Sequence, residues 1–209
     1  MKIELENVLP DEIERRSFEI IERELPHPLD RMVAPVIKRV IHTTADFDYA
    51  DSLYFSENAV PLALAALKSG ASIVTDTNMA RAGINKLAFN KLGGEVLCFM
   101  SDEDVAAAAK KNGTTRAAAS MDKAAALDTP FIFAIGNAPT ALVRLYELIG
   151  EGKLNPALII GVPVGFVNVV QAKELIMQTD IPCIVARGRK GGSNVAAAIV
   201  NALMYSVTR

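Results

Sequence analysis

The chain has 209 residues, 51% of them hydrophobic, which suits a single domain over 1–209 that buries roughly 70% of its unfolded surface. Its 22 basic and 24 acidic residues leave a formal net charge of -2, which speaks against a general nucleic-acid or membrane-surface binder. No apolar run approaches the roughly 20 residues of a membrane span, and the charged start Met1-Lys-Ile-Glu-Leu-Glu6 lacks a signal peptide's apolar core, so the cytoplasm is the expected location.

After Pro10, residues 11–24 read as a helix with Ile13, Phe18 and Ile21 on its apolar side, continued by Leu25, and with Arg16 and Ser17 at its flanks. Pro26-His27-Pro28 ends it, because a residue before proline is pushed out of the helical region, and this makes His27 a loop residue. In the next helix Leu29, Met32, Val33, Val36, Ile37, Val40 and Ile41 recur at three- and four-residue steps and form one stripe. Arg31, Lys38, Arg39 and His42 collect on the other side, with Arg39 one turn before His42. Pro35 removes a hydrogen bond from that helix and so bends it or delays its regular part.

Beyond Asp46, short apolar runs alternate with helical segments. Strands are expected at 52–55, 71–75, 95–99, 131–135, 157–160 and 181–185. Helices are expected at 58–68, closed by Gly70, and at 115–126, 139–150, 167–178 and 193–207, with a short helical turn at 78–83. Ser101, followed three residues later by Asp104, gives a capping signal for the alanine-rich helix running towards Lys111. Near-continuous apolar strands alternating with helices imply an α/β fold: three layers, α/β/α, around a mostly parallel five- or six-stranded sheet. Cys98 and Cys183 lie inside apolar runs and read as small buried hydrophobes, so neither a disulfide nor a metal site is expected.

In such a fold ligands gather beyond the carboxyl ends of the strands. Three expected strand exits carry glycine: Gly136-Asn-Ala-Pro-Thr140, Gly161-Val-Pro-Val-Gly-Phe-Val167 and Arg187-Gly-Arg-Lys-Gly-Gly-Ser193. Glycines permit close backbone approach, and the helix N-termini that follow offer free N–H groups, so these loops with Arg187, Arg189 and Lys190 point to an anionic ligand. The spacings of a P-loop, a dinucleotide fingerprint, a Cys/His metal site and a serine nucleophile elbow are all absent. His42 then has two readings. It is either part of a solvated cationic face or a proton-transfer group among cations that hold the substrate, histidine being the side chain whose ordinary pKa lies in the physiological range.

Arg16-Ser-Phe18, Val40-Ile-His42, Thr115-Arg116, Gly136-Asn-Ala-Pro-Thr-Ala-Leu142, Gly161–Val167 and Arg187–Ser193 occur in an order and over a length that resemble the precorrin-8X (cobalt-precorrin-8) methylmutases of cobalamin biosynthesis. The resemblance implies an α/β/α homodimer that moves a methyl group from C-11 to C-12 of a corrin-type macrocycle, without a cofactor; any cobalt belongs to the substrate. It implies His42 as general acid/base, and it suggests Arg16, Ser17, Arg39, Thr44, Arg116 and Arg189 as contacts for the ring's acetates and propionates. A dimer would also give Arg81 or Lys86 a role across the interface. Two rivals remain at this stage: a corrinoid carrier without catalysis, and an isomerase or transferase acting on a small phosphorylated metabolite.

Overall fold

A computed structural model of the chain describes residues 5–127 and 129–208. The elements run α1 (Ile13–Glu24), α2 (Ala34–Thr44), α3 (Tyr49–Ser52), β1 (Leu53–Phe55), α4 (Ala59–Lys68), β2 (Ser72–Thr75), α5 (Asn78–Gly83), α6 (Lys86–Phe89) and β3 (Val96–Leu97). The second half adds α7 (Glu103–Asn112), α8 (Arg116–Ala125), β4 (Phe131–Ile135), α9 (Pro139–Gly150), β5 (Leu158–Gly161), α10 (Val169–Met177), β6 (Cys183–Ala186) and α11 (Ser193–Thr208). The strands form one sheet of order β1-β6-β5-β4-β2-β3. Every neighbouring pair is parallel except β1 with β6, where Tyr54 lies opposite Val185. The architecture is the expected α/β/α sandwich.

The apolar strands are buried on both faces, and alternate residues divide between two cores. Ile73, Ile132, Ala134, Ile160 and Ile184 face a core shared with α2, α4, α5 and α11. Val74, Phe131, Phe133, Ile135, Ile159 and Val185 face a core shared with α8, α9 and α10. α11 is the hub of the first layer: nine of its residues, from Val195 to Met204, are buried, and its alanines let α2 and α5 approach closely. Cys98 and Cys183 are buried and free, as expected.

The structure corrects several local expectations. Regular helix begins only at Ala34, so Pro35 occupies the first turn, where its missing N–H costs nothing; it delays α2 rather than kinking it. Leu29 and Met32 therefore precede the helix, and Met32 is exposed, leaving Val36, Ile37, Val40 and Ile41 as the buried stripe. Asp102, not Ser101, stands at the N-cap of α7, and Ser101 instead accepts a hydrogen bond from the Asn78 amide at 3.0 Å. The run at 95–99 pairs over only two residues at the sheet edge. α3 and α6 were not expected from the sequence; each is a single turn, too short to show periodicity.

Candidate functional site

Because β2, β4, β5 and β6 run parallel, their exits collect along one edge of the sheet, and polar bridges knit the loops that leave it. Asp76, directly after β2, is fully buried, and its carboxylate accepts the N–H groups of Gly136, Asn137 and Ala138 at 2.8, 2.8 and 2.6 Å. Burial pushes this carboxyl upward, and the three N–H groups pull against it. The Thr77 and Ser193 hydroxyls, 2.7 Å apart, join the β2 exit to the start of α11. Gly192 N–H donates to the Val162 carbonyl at 2.9 Å, and Gly165 N–H to the Arg189 carbonyl at 3.2 Å, so the β5 and β6 exits form one surface. Lys190 reaches Asp46 and Asp48 at 2.7 and 2.5 Å, which ties that surface to the turn following α2 and holds its ammonium above the ordinary lysine range.

His42 stands at the end of α2 on this rim. Its exposed ring stacks on Phe18 of α1 with centroids 5.2 Å apart and planes at 22°. Neither ring nitrogen hydrogen-bonds to another described residue, so both face solvent or a ligand. The ring borders a recess of about 270 Å³ lined with Arg39, Thr43, Asn194, Ala197, Asn201 and Tyr205. The Arg39 guanidinium lies between the Phe18 and Tyr205 rings, 4.7 and 5.3 Å from their centroids, and pairs with Glu14. A stacked, unpartnered imidazole beside a fixed cation is a group able to exchange a proton with a bound anion.

The other expected site residues fall into two groups. Arg16 is paired with Glu6 and Glu19, the Ser17 hydroxyl donates to the Ile13 carbonyl at 2.9 Å, and the Thr44 hydroxyl donates to the Val40 carbonyl at 2.8 Å. Before these groups can donate to a ligand, they must give up present partners. Arg116 and Arg189 form no ion pair among the described residues. Arg116 opens α8, beside the 2.9 Å contact between Thr115 and Thr140 that joins α8 to the β4 exit. Arg189 sits over the Phe166 ring at 5.4 Å, and Phe166 and Val167 are 82% and 78% exposed, a bare apolar shelf at the β5 exit. His27 is in a loop, as expected, and pairs with Asp51 at 2.8 Å. Arg81 donates to the Val96 carbonyl at 3.1 Å, and Lys86 opens α6.

Three rim groups were missed by sequence reasoning. Phe18 counted only as an apolar helix residue, whereas it is the platform for both His42 and Arg39. Asp76 had a signal, an acidic residue directly after a buried strand in Thr75-Asp-Thr-Asn78. Lys173 had none. This residue of α10 is 1% exposed, and its ammonium donates to the carbonyls of Gly188 and Lys190, each at 2.8 Å.

The family model described as precorrin-8X methylmutase matches residues 12–206. Cobalt-precorrin-8 methylmutase of Priestia megaterium is 46% identical over 197 residues, covering 94% of this chain and 88% of that protein. Its counterpart in Salmonella typhimurium is 47% identical, covering 94% and 95%. Precorrin-8X methylmutase of Pseudomonas aeruginosa is 37% identical, covering 91% and 93%. The crystal structure of precorrin-8X methyl mutase from Thermus thermophilus superposes with a TM-score of 0.87 at 40% identity, covering 95% and 96%.

Proposed function

Because the chain belongs to the precorrin-8X methylmutase family, whose members move a methyl group on a corrin precursor, we propose that it does so with His42 as general acid and base. The protein is a methyl-shifting isomerase of cobalamin biosynthesis. A methyl migration around a conjugated ring is a sigmatropic shift. It calls for no covalent nucleophile, and in this proposal no cofactor, only the ring in its reactive protonation state. His42 delivers a proton to the ring system near the migrating methyl and recovers it after the shift. The observation that carries this reading is the imidazole itself, stacked on Phe18 at the mouth of the recess with neither nitrogen bonded to another described residue. Binding that selects the reactive tautomer supplies the rest of the acceleration.

The substrate is a large apolar ring fringed with carboxylates, and the rim offers matching chemistry. Phe166 and Val167 give apolar contact, and Arg116 and Arg189 give exposed guanidinium groups with no ion pair among the described residues. In this reading Arg39, Arg16, Ser17 and Thr44 serve from the His42 side. Identity of 46% and 47% to two relatives named for cobalt-precorrin-8, against 37% and 40% to the Pseudomonas aeruginosa and Thermus thermophilus proteins named for precorrin-8X, favours a cobalt-bearing substrate. The exposed Met79 and Leu87, flanked by Arg81 and Lys86, favour a homodimer with α5 and α6 at its interface. Among the described residues no helix is long and apolar enough to cross a membrane.

The test is His42→Ala. Loss of a general acid predicts a kcat lowered by about 10² to 10⁴ with product affinity kept. Full turnover by this variant would remove His42 from the chemistry. No change in visible absorption when wild-type protein is titrated with cobyrinate would overturn the corrinoid assignment, and binding without turnover would support the carrier reading instead.

A further inference from the structure

Lys173 is a buried cation that the reaction does not use. Among the described residues no carboxylate pairs with it, and burial lowers its amine to about 8. Ammonium groups are rarely buried without a counter-charge, because the lost hydration must be replaced by hydrogen bonds. Its partners are two carbonyls of one loop, those of Gly188 and Lys190. The carbonyl between them, that of Arg189, is also occupied, by the Gly165 N–H at 3.2 Å. Three successive carbonyls are thus occupied, two of them by the buried Lys173 ammonium. The N–H groups of Gly188, Arg189, Lys190 and Gly191 have no acceptor among the described residues. Successive free N–H groups form a concavity suited to an anion. The exposed Arg189 belongs to the same stretch, and the Lys190 side chain ties it to Asp46, four residues beyond His42.

We propose that Lys173 is a positioning residue for corrinoid binding: by drawing the carbonyls of Gly188 and Lys190 inward, it keeps the loop's N–H groups and Arg189 free for a substrate carboxylate. Without that pull the loop's carbonyls are free to turn outward, and oxygen dipoles then face the anion. The inference rests on the corrinoid assignment above. Lys173 touches no substrate itself, and its effect passes through the loop.

The experiment compares wild type, Lys173→Met, Lys173→Gln, Arg189→Ala and the Lys173→Met/Arg189→Ala double variant. Cobyrinate affinity is read from visible absorption, and kcat is measured at saturating substrate. Loss of one charge-assisted carboxylate contact predicts that Lys173→Met raises Kd and KM about tenfold. Its kcat stays within about threefold of wild type, since no transition-state contact is removed. Gln keeps N–H donors but is shorter, and its Kd rises about threefold, on the weaker neutral hydrogen bond. If Lys173 acts through the loop, the double variant loses less than the product of the single losses. A folded Lys173→Met or Lys173→Gln with wild-type Kd refutes the proposal, as do fully multiplicative losses in the double variant. A lowered melting temperature with unchanged Kd marks a purely structural lysine and also refutes it. Failure of wild type to bind cobyrinate sinks the corrinoid reading first, and this inference with it.

Discussion

Asp76→Asn probes how the rim is held. The carboxylate serves three N–H groups through two oxygens, one from Gly136 and two from Asn137 and Ala138. An asparagine amide has one oxygen. Placed on the Asn137 side it keeps two bonds and sets its NH₂ against the Gly136 N–H; flipped, it strands two donors. At least one buried N–H is orphaned, at about 1–3 kcal/mol, and the bonds that survive lose their charge assistance, about 0.5–1 kcal/mol each. Against this stands the relief of no longer burying a carboxylate, a cost visible in the upward push on Asp76. The net expectation is about 2–3 kcal/mol of destabilisation, or about 5–10 °C in Tm for a protein of this size. Thermal and urea unfolding followed by circular dichroism measure it. Asp76's folded pKa is raised, so its contribution relative to Asn is full below the ordinary carboxylate value of 3.8 and shrinks as pH rises through the raised pKa. The gap between wild type and variant should therefore be wider at about pH 4 than at about pH 7. A Tm within about 1 °C of wild type at both pH values would show that the carboxylate does not hold the Gly136–Ala138 turn.

Gly191→Ala places a Cβ 2.1 Å from the Val162 carbonyl oxygen at φ +155°, so the β5 and β6 exits must separate. We expect about 3–5 kcal/mol of destabilisation and weakened cobyrinate binding; a variant as stable as wild type would show that this close approach is dispensable. Arg116→Ala removes an exposed guanidinium with no ion pair, so stability should stay within about 0.5 kcal/mol while KM rises about tenfold. An unchanged KM would mean that no substrate carboxylate reaches it. Lys173 has its amine lowered from 10.5 to about 8, so between those pH values the unfolded chain holds a proton that the folded one has released. Stability contributed by this group is accordingly lowest below about pH 8 and rises by about 3 kcal/mol on the way to pH 10.5. Urea unfolding of wild type and Lys173→Met across that window should give a stability difference that rises with pH in favour of wild type, and parallel curves would contradict it.

The sandwich was legible because its signal is local. Phe131–Ile135 and Leu158–Gly161 are apolar at almost every position, which only a sheet covered on both faces accommodates. The antiparallel edge was not legible. Leu53–Phe55 is three residues long, and its direction is set by pairing with β6, far along the chain. Pro35 shows how an ambiguous residue is resolved by its neighbours. Its φ suits both a kink and a helix start, and the turn at 30–33, where Asp30 accepts the Met32 N–H at 2.8 Å, makes it a start.

His42 was visible as a type of residue on a face, because its place opposite Val36, Val40 and Ile41 follows from the helical repeat. Arg39 beside it followed from the same repeat, but the rest of its working context did not, because Phe18 and Tyr205 come from two other helices whose packing no spacing encodes. The same holds for the two buried charges. Asp76 and Lys173 are an acid and a base, yet neither pairs with a side chain of the opposite kind among the described residues: Asp76 takes three N–H groups, and Lys173 takes two carbonyls. Each satisfies itself on the backbone of a glycine-rich strand exit, the one fixing donors and the other fixing acceptors. Glycine there allows the close approach, and a buried charge then selects one conformation from the many that glycine permits. A glycine-rich exit read from sequence is only a flexible turn. The charge beneath it, supplied from elsewhere in the chain, makes it a shaped rim on which a stacked histidine can meet a polycarboxylate ring.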